Sequence, residues 1–462
     1  MKPSIVAVAI ALFGAADPGS VVAQNAPAAP AVPSLSLAHP DAPSGAPLVI
    51  TLADALQRAK QNEPAFLAAT ADAALAREDR VQARAGMLPA FSHTTQYMGN
   101  QGGTPNPTGR FISMDGVNMY RSWLVAHQEL SAGTFMGTPL HKAQAAEAAA
   151  QAKLDIAQRG LIVTVTRDYY AFISAQRKYA TAQQAAQQAQ RFFDIAQQQE
   201  RLGQVARSDV VKAEISSRQQ RQAFDDATLA MDNARLSLAV LLFPAFTENF
   251  SVVDDMQSAP ALPPFMDVRT MAERGNPDLR AAGELLRAAG EDVRLAKQAF
   301  LPSVLVDAVY GIEANEFALH SRYVADPDLG VLPNLGYMLT VNLSVPLWDW
   351  GGLRSKVHQS ETRQRQASAT LSQTQRQLVS NLYSMYNGAL TARAAVDSLR
   401  RVAELAGESL RLTTLRYQAG ESTAFEMVDA QNTLVQTRNA ADDAEARYRV
   451  AIAELQTLTG NF

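Results

Sequence analysis

Residues Arg416–Leu434 read RYQAGESTAFEMVDAQNTL, and nearly the same pattern stands 217 positions earlier at Glu200–Ser217, ERLGQVARSDVVKAEISS. Gly203 pairs with Gly420. At that one offset Asp209 falls on Glu426, Val211 on Val428, Ala213 on Ala430 and Asp225-Asp226 on Asp442-Asp443. Matches that share a single offset mark an internal repeat. Each copy sets one glycine between two long segments rich in Ala and Gln with almost no proline. Each therefore reads as a tight turn joining two antiparallel helices, with Gly203 and Gly420 as the hairpin tips.

The repeat extends upstream. Pro64 and the Leu88-Pro89 pair lie 25 residues apart, as do Pro277 and Leu301-Pro302, and Glu78-Asp79 matches Glu291-Asp292 at the same offset of 213. Between roughly residues 50 and 460 the chain resembles the TolC-like outer-membrane efflux channel family. The resemblance is carried by the start TLADALQRAKQNEPAFLAA (51–69), the Leu-Pro that ends each second helix, and the two Gly-x5-[DE]-[VM]-V-x-A tips. It implies a mainly α protein with a membrane β-barrel. Duplicated long helical hairpins would form a trimeric α-barrel, and four strands per protomer would contribute to a 12-stranded β-barrel. The domain plan is a first repeat over 49–243, a linker over 244–270 and a second repeat over 271–460.

Composition excludes several classes of function. The 41 basic and 45 acidic side chains nearly balance, so no basic face for nucleic acid is expected. Cysteine is absent, which excludes disulfides, thiol catalysis and an amino-terminal lipidated cysteine. Residues 1–23 hold Lys2, an apolar run from Ile5 to Phe13 and small residues up to Ala23, the pattern of a cleaved secretory signal peptide. Residues 24–48 are rich in proline and alanine and are expected to be disordered. No later stretch has the roughly 18 to 20 continuous apolar residues of a membrane-spanning helix, so a membrane crossing has to use strands.

A first helix begins at Thr51 and breaks at Pro64, and a second stops at Pro89. Short alternating segments follow, with strands at about 90–98 and 119–130 flanking a loop at 99–118. The second half repeats the plan, with strands at about 303–312 and 336–347 around a loop at 313–335. Tyr337, Leu339, Val341, Leu343 and Val345 alternate with Met338, Thr340, Asn342 and Ser344, one face for lipid and one for water. Four strands cannot close around a water-filled interior, and open edges in hydrocarbon leave backbone groups unpaired at several kcal/mol each. Three copies would close twelve strands, which is what the resemblance implies. After Gly133 and after Gly351-Gly352, helical sequence continues to the tips for lengths on the order of 100 Å, more than a globular core needs.

Enzymatic motifs are missing. The six histidines never pair at ligand spacing, and no phosphate loop or nucleophile motif appears, so neither a cofactor nor a resident metal is expected. Glu78-Asp79 and Glu291-Asp292 read as solvated helix faces. Past the second tip, Glu426 and Asp429 project from one helical face and would stack as acidic rings in a trimer, attracting cations. The resemblance makes these two the selectivity ring of a periplasmic entrance. It also makes Asp209 and Tyr417 a hydrogen-bonded tip latch, while placing the family's arginine partner at Ser422. It implies a homotrimer in outer-membrane lipid, working as a passive exit duct for efflux or type I secretion with a periplasmic adaptor protein and an inner-membrane transporter. The alternative is a periplasmic coiled-coil adaptor or structural protein. Adaptors normally carry one helical hairpin, so the duplicated hairpin and alternating strands weigh against it.

Overall fold

The computed structural model describes residues 47–99, 118–244, 249–257, 260–314, 316–326 and 330–460. The signal-like start, the proline-rich run up to residue 46 and the body of the 99–118 loop lie outside the described residues. In chain order the elements are β1 (Leu48–Ile50), α1 (Leu52–Asn62), α2 (Pro64–Ala85), β2 (Ala90–Gly99), β3 (Asn118–Leu130) and α3 (Ala132–Phe135). Then come α4 (Thr138–Arg201), α5 (Arg207–Leu242), β4 (Phe250–Val252), α6 (Phe265–Gly275) and α7 (Pro277–Gln298). The chain closes with β5 (Ser303–Ala314), β6 (His320–Asp326), β7 (Gly330–Pro333), β8 (Leu335–Ser344), α8 (Gly352–Gln418) and α9 (Ala424–Thr459).

Local chemistry sets the helix starts. Thr51 Oγ1 accepts from Asp54 N at 3.2 Å while Asp54 Oδ2 accepts from Thr51 N at 3.1 Å, a reciprocal capping box. Pro64 and Pro277 each open a helix as well as ending one, capped by Glu63 (2.6 Å to Phe66 N) and Asn276 (2.9 Å to Leu279 N). A first-turn proline loses nothing, because its missing N–H would have no partner within the helix.

α4 has 64 residues and α8 has 67, each about 100 Å long. On α4 the buried residues Ala145, Ala149 and Ala152, and later Ala182, Ala185, Ala189, Phe192 and Ala196, recur every three or four positions. Small side chains at that spacing let helices approach closely along a thin seam. α5 and α9 return from the tips, and α2 and α7 flank the remaining length of α4. Among the described residues no helix is long and apolar enough to cross a membrane.

Midway along α4 the core thickens around Tyr169, Tyr170, Phe172 and Ile173, packed on Ile50, Leu238, Leu242, Phe243 and Phe250. The linker expected over 244–270 contains β4, which pairs in parallel with β1 (Leu48↔Phe250), and α6 begins within it at Phe265. Tyr169 Oη fastens the pair by donating to Val253 O at 2.8 Å.

Strands β2, β3, β5 and β8 form one antiparallel sheet in that order. β8 ends at Ser344, three residues before the expected Leu347; Pro346, lying in that stretch, has no N–H for a ladder. The 313–335 segment is not a plain loop, because it holds the antiparallel hairpin β6–β7. The register separates two faces. Leu343, Val341, Leu339 and Tyr337 oppose Val304, Val306, Ala308 and Tyr310, and that row continues through Leu124, Ala126 and Phe91. The other face carries Arg121 bonded to Glu313 at 2.9 Å and His127 to Asp307 at 2.7 Å.

Candidate functional site

Both tips are glycine-closed helix ends of the same kind. Gly203 (φ +72°) donates to Glu200 O at 2.8 Å and Gln204 to Gln199 O at 2.8 Å; Gly420 (φ +77°) and Glu421 repeat this on Tyr417 O and Arg416 O at 3.0 and 2.8 Å. A left-handed residue is what lets the chain reverse while those carbonyls stay bonded. Glycine is there for its backbone, since an added Cβ would meet nothing within 4 Å at either position. The two tips pack on each other through Phe192, Ala196, Val210, Ala213, Ala424 and Met427. Phe192 and Tyr417 meet edge to face at 5.2 Å.

The latch residues are close but differently bonded from expectation. Tyr417 Oη donates to Gln199 Oε1 at 3.2 Å, not to Asp209. Asp209 lies in the first turn of α5, where its N–H bonds to Ala206 O at 3.0 Å. It acts on Tyr417 through space: burial raises the phenol's pKa, and the Asp209 charge raises it further.

Glu426 is tied down locally. It is the third residue of α9, whose cap Thr423 accepts from Glu426 N at 3.3 Å, and its Oε2 accepts from Ser422 Oγ at 2.8 Å. Arg416 Nη1 stands 3.7 Å from that oxygen, and Arg416 Nη2 donates to Glu421 O at 3.1 Å. The Ser422 hydrogen bond, with help from Arg416, holds the carboxyl below the usual carboxylate range. Ser422, the position expected to lack a charged partner, thus orients Glu426, and Arg416 supplies the positive charge from the other arm of the turn. That arginine adjoins Tyr417 in sequence; the signal was its place directly before a reversing turn. Asp429 is exposed and has no hydrogen-bond or ion-pair partner among the described residues.

A second polar constellation escaped the sequence reading. Arg177 on α4 binds Asp254 in the linker at 2.6 Å, and Asp442 and Glu445 on α9 at 3.0 and 2.9 Å; Arg400 on α8 takes the other Glu445 oxygen at 2.6 Å. Four parts of the chain meet on one arginine cluster. Burial pushes Asp442 up despite Arg177, whereas for the more open Asp254 burial is opposed by the hydrogen bonds from Arg177 and Met256 N together with the Arg177 charge, and the carboxyl is lowered. The repeat marked Asp442-Asp443, but nothing in the sequence placed Arg177 opposite them. The paired acids also divide: Glu78 is exposed, while Glu291, expected on a solvated face, is buried.

The profile of the outer membrane efflux protein family matches residues 55–242 and 268–461, one segment per repeat. Among curated proteins, the outer membrane protein TolC of Vibrio cholerae is 25% identical over 429 residues, spanning 88% of this chain and 90% of that protein. Among solved structures, the outer membrane protein VceC of Vibrio cholerae superimposes with a TM-score of 0.74 at 16% identity, over 89% of this chain and 96% of that one. The CmeC outer membrane channel of Campylobacter jejuni gives 0.72 at 16% identity, over 88% and 85%. At such identities the structures bear on the fold, and the fold they share is this one. Matched along both of its repeats, the chain belongs to the outer membrane efflux protein family.

Proposed function

We propose that three copies of this chain form an outer-membrane exit duct, passive in itself, that receives cargo through a periplasmic adaptor from an inner-membrane transporter. The observation that carries this is the four-stranded sheet with two open edges, β2 and β8, and one apolar face left bare: Tyr337 is 85% exposed and Leu343 66%. In hydrocarbon the open edges would cost several kcal/mol per unpaired group. Pairing β8 of one copy with β2 of the next removes both and closes twelve strands. The apolar row has membrane dimensions. Tyr97, Tyr120, Tyr310 and Tyr337 lie toward one end and Leu347, Trp348 and Trp350 beyond the other. The rise from Tyr337 to Leu347, at about 3.3 Å per residue and a tilt near 40°, is about 25 Å, the height of an outer-membrane apolar band.

The helices then extend into the periplasm and end at tips that gate the duct, with Glu426 and Asp429 as acidic rings. The family's description as outer membrane efflux proteins, and the name of the relative TolC as an outer membrane protein, support this reading. Its test is cell fractionation joined to native mass measurement in detergent. The expected result is a trimer in the outer membrane whose mature chain starts near Gln24. A soluble periplasmic monomer would overturn it in favour of an adaptor or structural protein.

A further inference from the structure

Helices α2 and α7 occupy matching places in the two repeats but have very different surroundings. In α7 the buried residues are Pro277, Ala281, Ala282, Glu291 and Val293. At the repeat offset of 213, four of these five recur in α2 as Pro64, Ala68, Ala69 and Glu78, yet α2 has no buried residue. α7 is covered because it packs on two long helices, α4 and α8, whereas of that pair α2 packs extensively only on α4. An exposed helix carrying the burial pattern of a covered one lacks a second long helix.

The ion pairs say which helix that is. Within each repeat the second helix binds its own long helix through one acid, Arg80 to Glu147 at 2.7 Å in the first and Lys297 to Glu361 at 3.1 Å in the second. Glu147 and Glu361 are equivalent, because α4 and α8 start 214 residues apart. Across the repeats, α7 also binds the long helix of the other half, Asp292 to Lys142 at 2.6 Å. Advancing Lys142 by 214 gives Lys356, and moving Asp292 back by 213 gives Asp79. Both members of the pair are thus present a second time. Asp79 and Lys356 are exposed, and among the described residues neither has a hydrogen-bond or ion-pair partner. Within one protomer α2 packs on α4, α4 on α7 and α7 on α8, so the helices carrying Asp79 and Lys356 stand at the two ends of that row and the pair is not made within one chain.

We propose that α8 of a second copy of this chain covers α2, with Lys356 of that copy paired to Asp79, repeating between protomers the contact that Lys142 and Asp292 make within one. The assignment rests on the trimeric reading above and fixes its seam to named residues. Glu78 becomes buried there as Glu291 is buried within the protomer. The seam around the ring thereby alternates between covalently linked and unlinked versions of one interface.

The chain has no cysteine, so Asp79→Cys with Lys356→Cys provides a clean cross-linking test in detergent-solubilised, full-length protein. A short bismaleimide should convert the double variant to covalent dimers and trimers on denaturing gels, and leave each single variant monomeric. Charge exchange tests the pair itself. Asp79→Lys or Lys356→Asp alone should favour dissociation of the native trimer by about two- to fivefold per seam, and the two together should restore it. A trimer by native mass that stays unlinked overturns the seam while leaving the trimeric reading intact. Absence of any trimer defeats both, and an exchanged pair no better than its singles overturns the Asp79–Lys356 contact.

Discussion

Tyr417 on α8 donates its hydroxyl proton to Oε1 of Gln199 on α4 across 3.2 Å, which ties the last turn of the second hairpin to the last turn of the first. The bond is neutral on both sides, so it stabilises the paired tips by about 0.5–1.5 kcal/mol. A closure of that strength is one a docked partner can reverse.

Replacing Tyr417→Phe, or Gln199→Leu, should therefore raise the population of separated tips by about two- to tenfold. Limited proteolysis at the turns 202–206 and 419–423 reads this directly, and the double variant should be no more sensitive than either single. The contact also carries a pH signature. Because burial and Asp209 raise the pKa of Tyr417 above its ordinary value of 10.0, its contribution is full below about pH 10 and is lost as pH rises through the raised value. Tyr417→Phe should remove that alkaline limb.

The acids past the tip should behave differently from the latch. Glu426→Ala with Asp429→Ala should weaken cation preference and block by multivalent cations while leaving tip proteolysis near the parent level. Glu426 is held below the usual carboxylate range, so its share of the selectivity persists as pH falls through that range and is lost only below it. Thr423→Ala should instead cost about 1 kcal/mol of helix stability, through the lost cap. An acid-free variant with unchanged ion preference would reduce these residues to surface charge.

Arg177→Ala leaves Asp442 and Glu445 without their shared partner. Arg177 keeps 23% of its side-chain surface exposed, so the loss should fall below that of a fully buried pair, at about 2–3 kcal/mol. Thermal unfolding at several pH values tests the cause. Asp442, already raised by burial, takes up a proton most readily, so the deficit should be largest at neutral pH and shrink as pH falls.

How far the sequence could be read depended on the reach of each signal. The tips were legible because Gly203 and Gly420 sit alone in long glutamine- and alanine-rich runs, and a positive φ there has few alternatives. The four sheet strands were legible because alternation persists over about ten residues. By contrast, β1 and β4 are three residues each and pair across about 200 positions, so no local pattern reveals them. The partner of Tyr417 was not legible, because Gln199 and Asp209 both act on it and which of them bonds its hydroxyl is fixed only once α4, α5 and α8 are placed together. Arg177 was hidden in the same way, since its three partners, Asp254, Asp442 and Glu445, come from two other parts of the chain.

Single-channel recording in planar bilayers tests the central claim most directly. The account predicts that purified trimer inserts and passes small, cation-preferring current steps, and that Tyr417→Phe with Gln199→Leu enlarges those steps without changing trimer mass. Trimer that inserts yet carries no current in either the parent or the variant would contradict it.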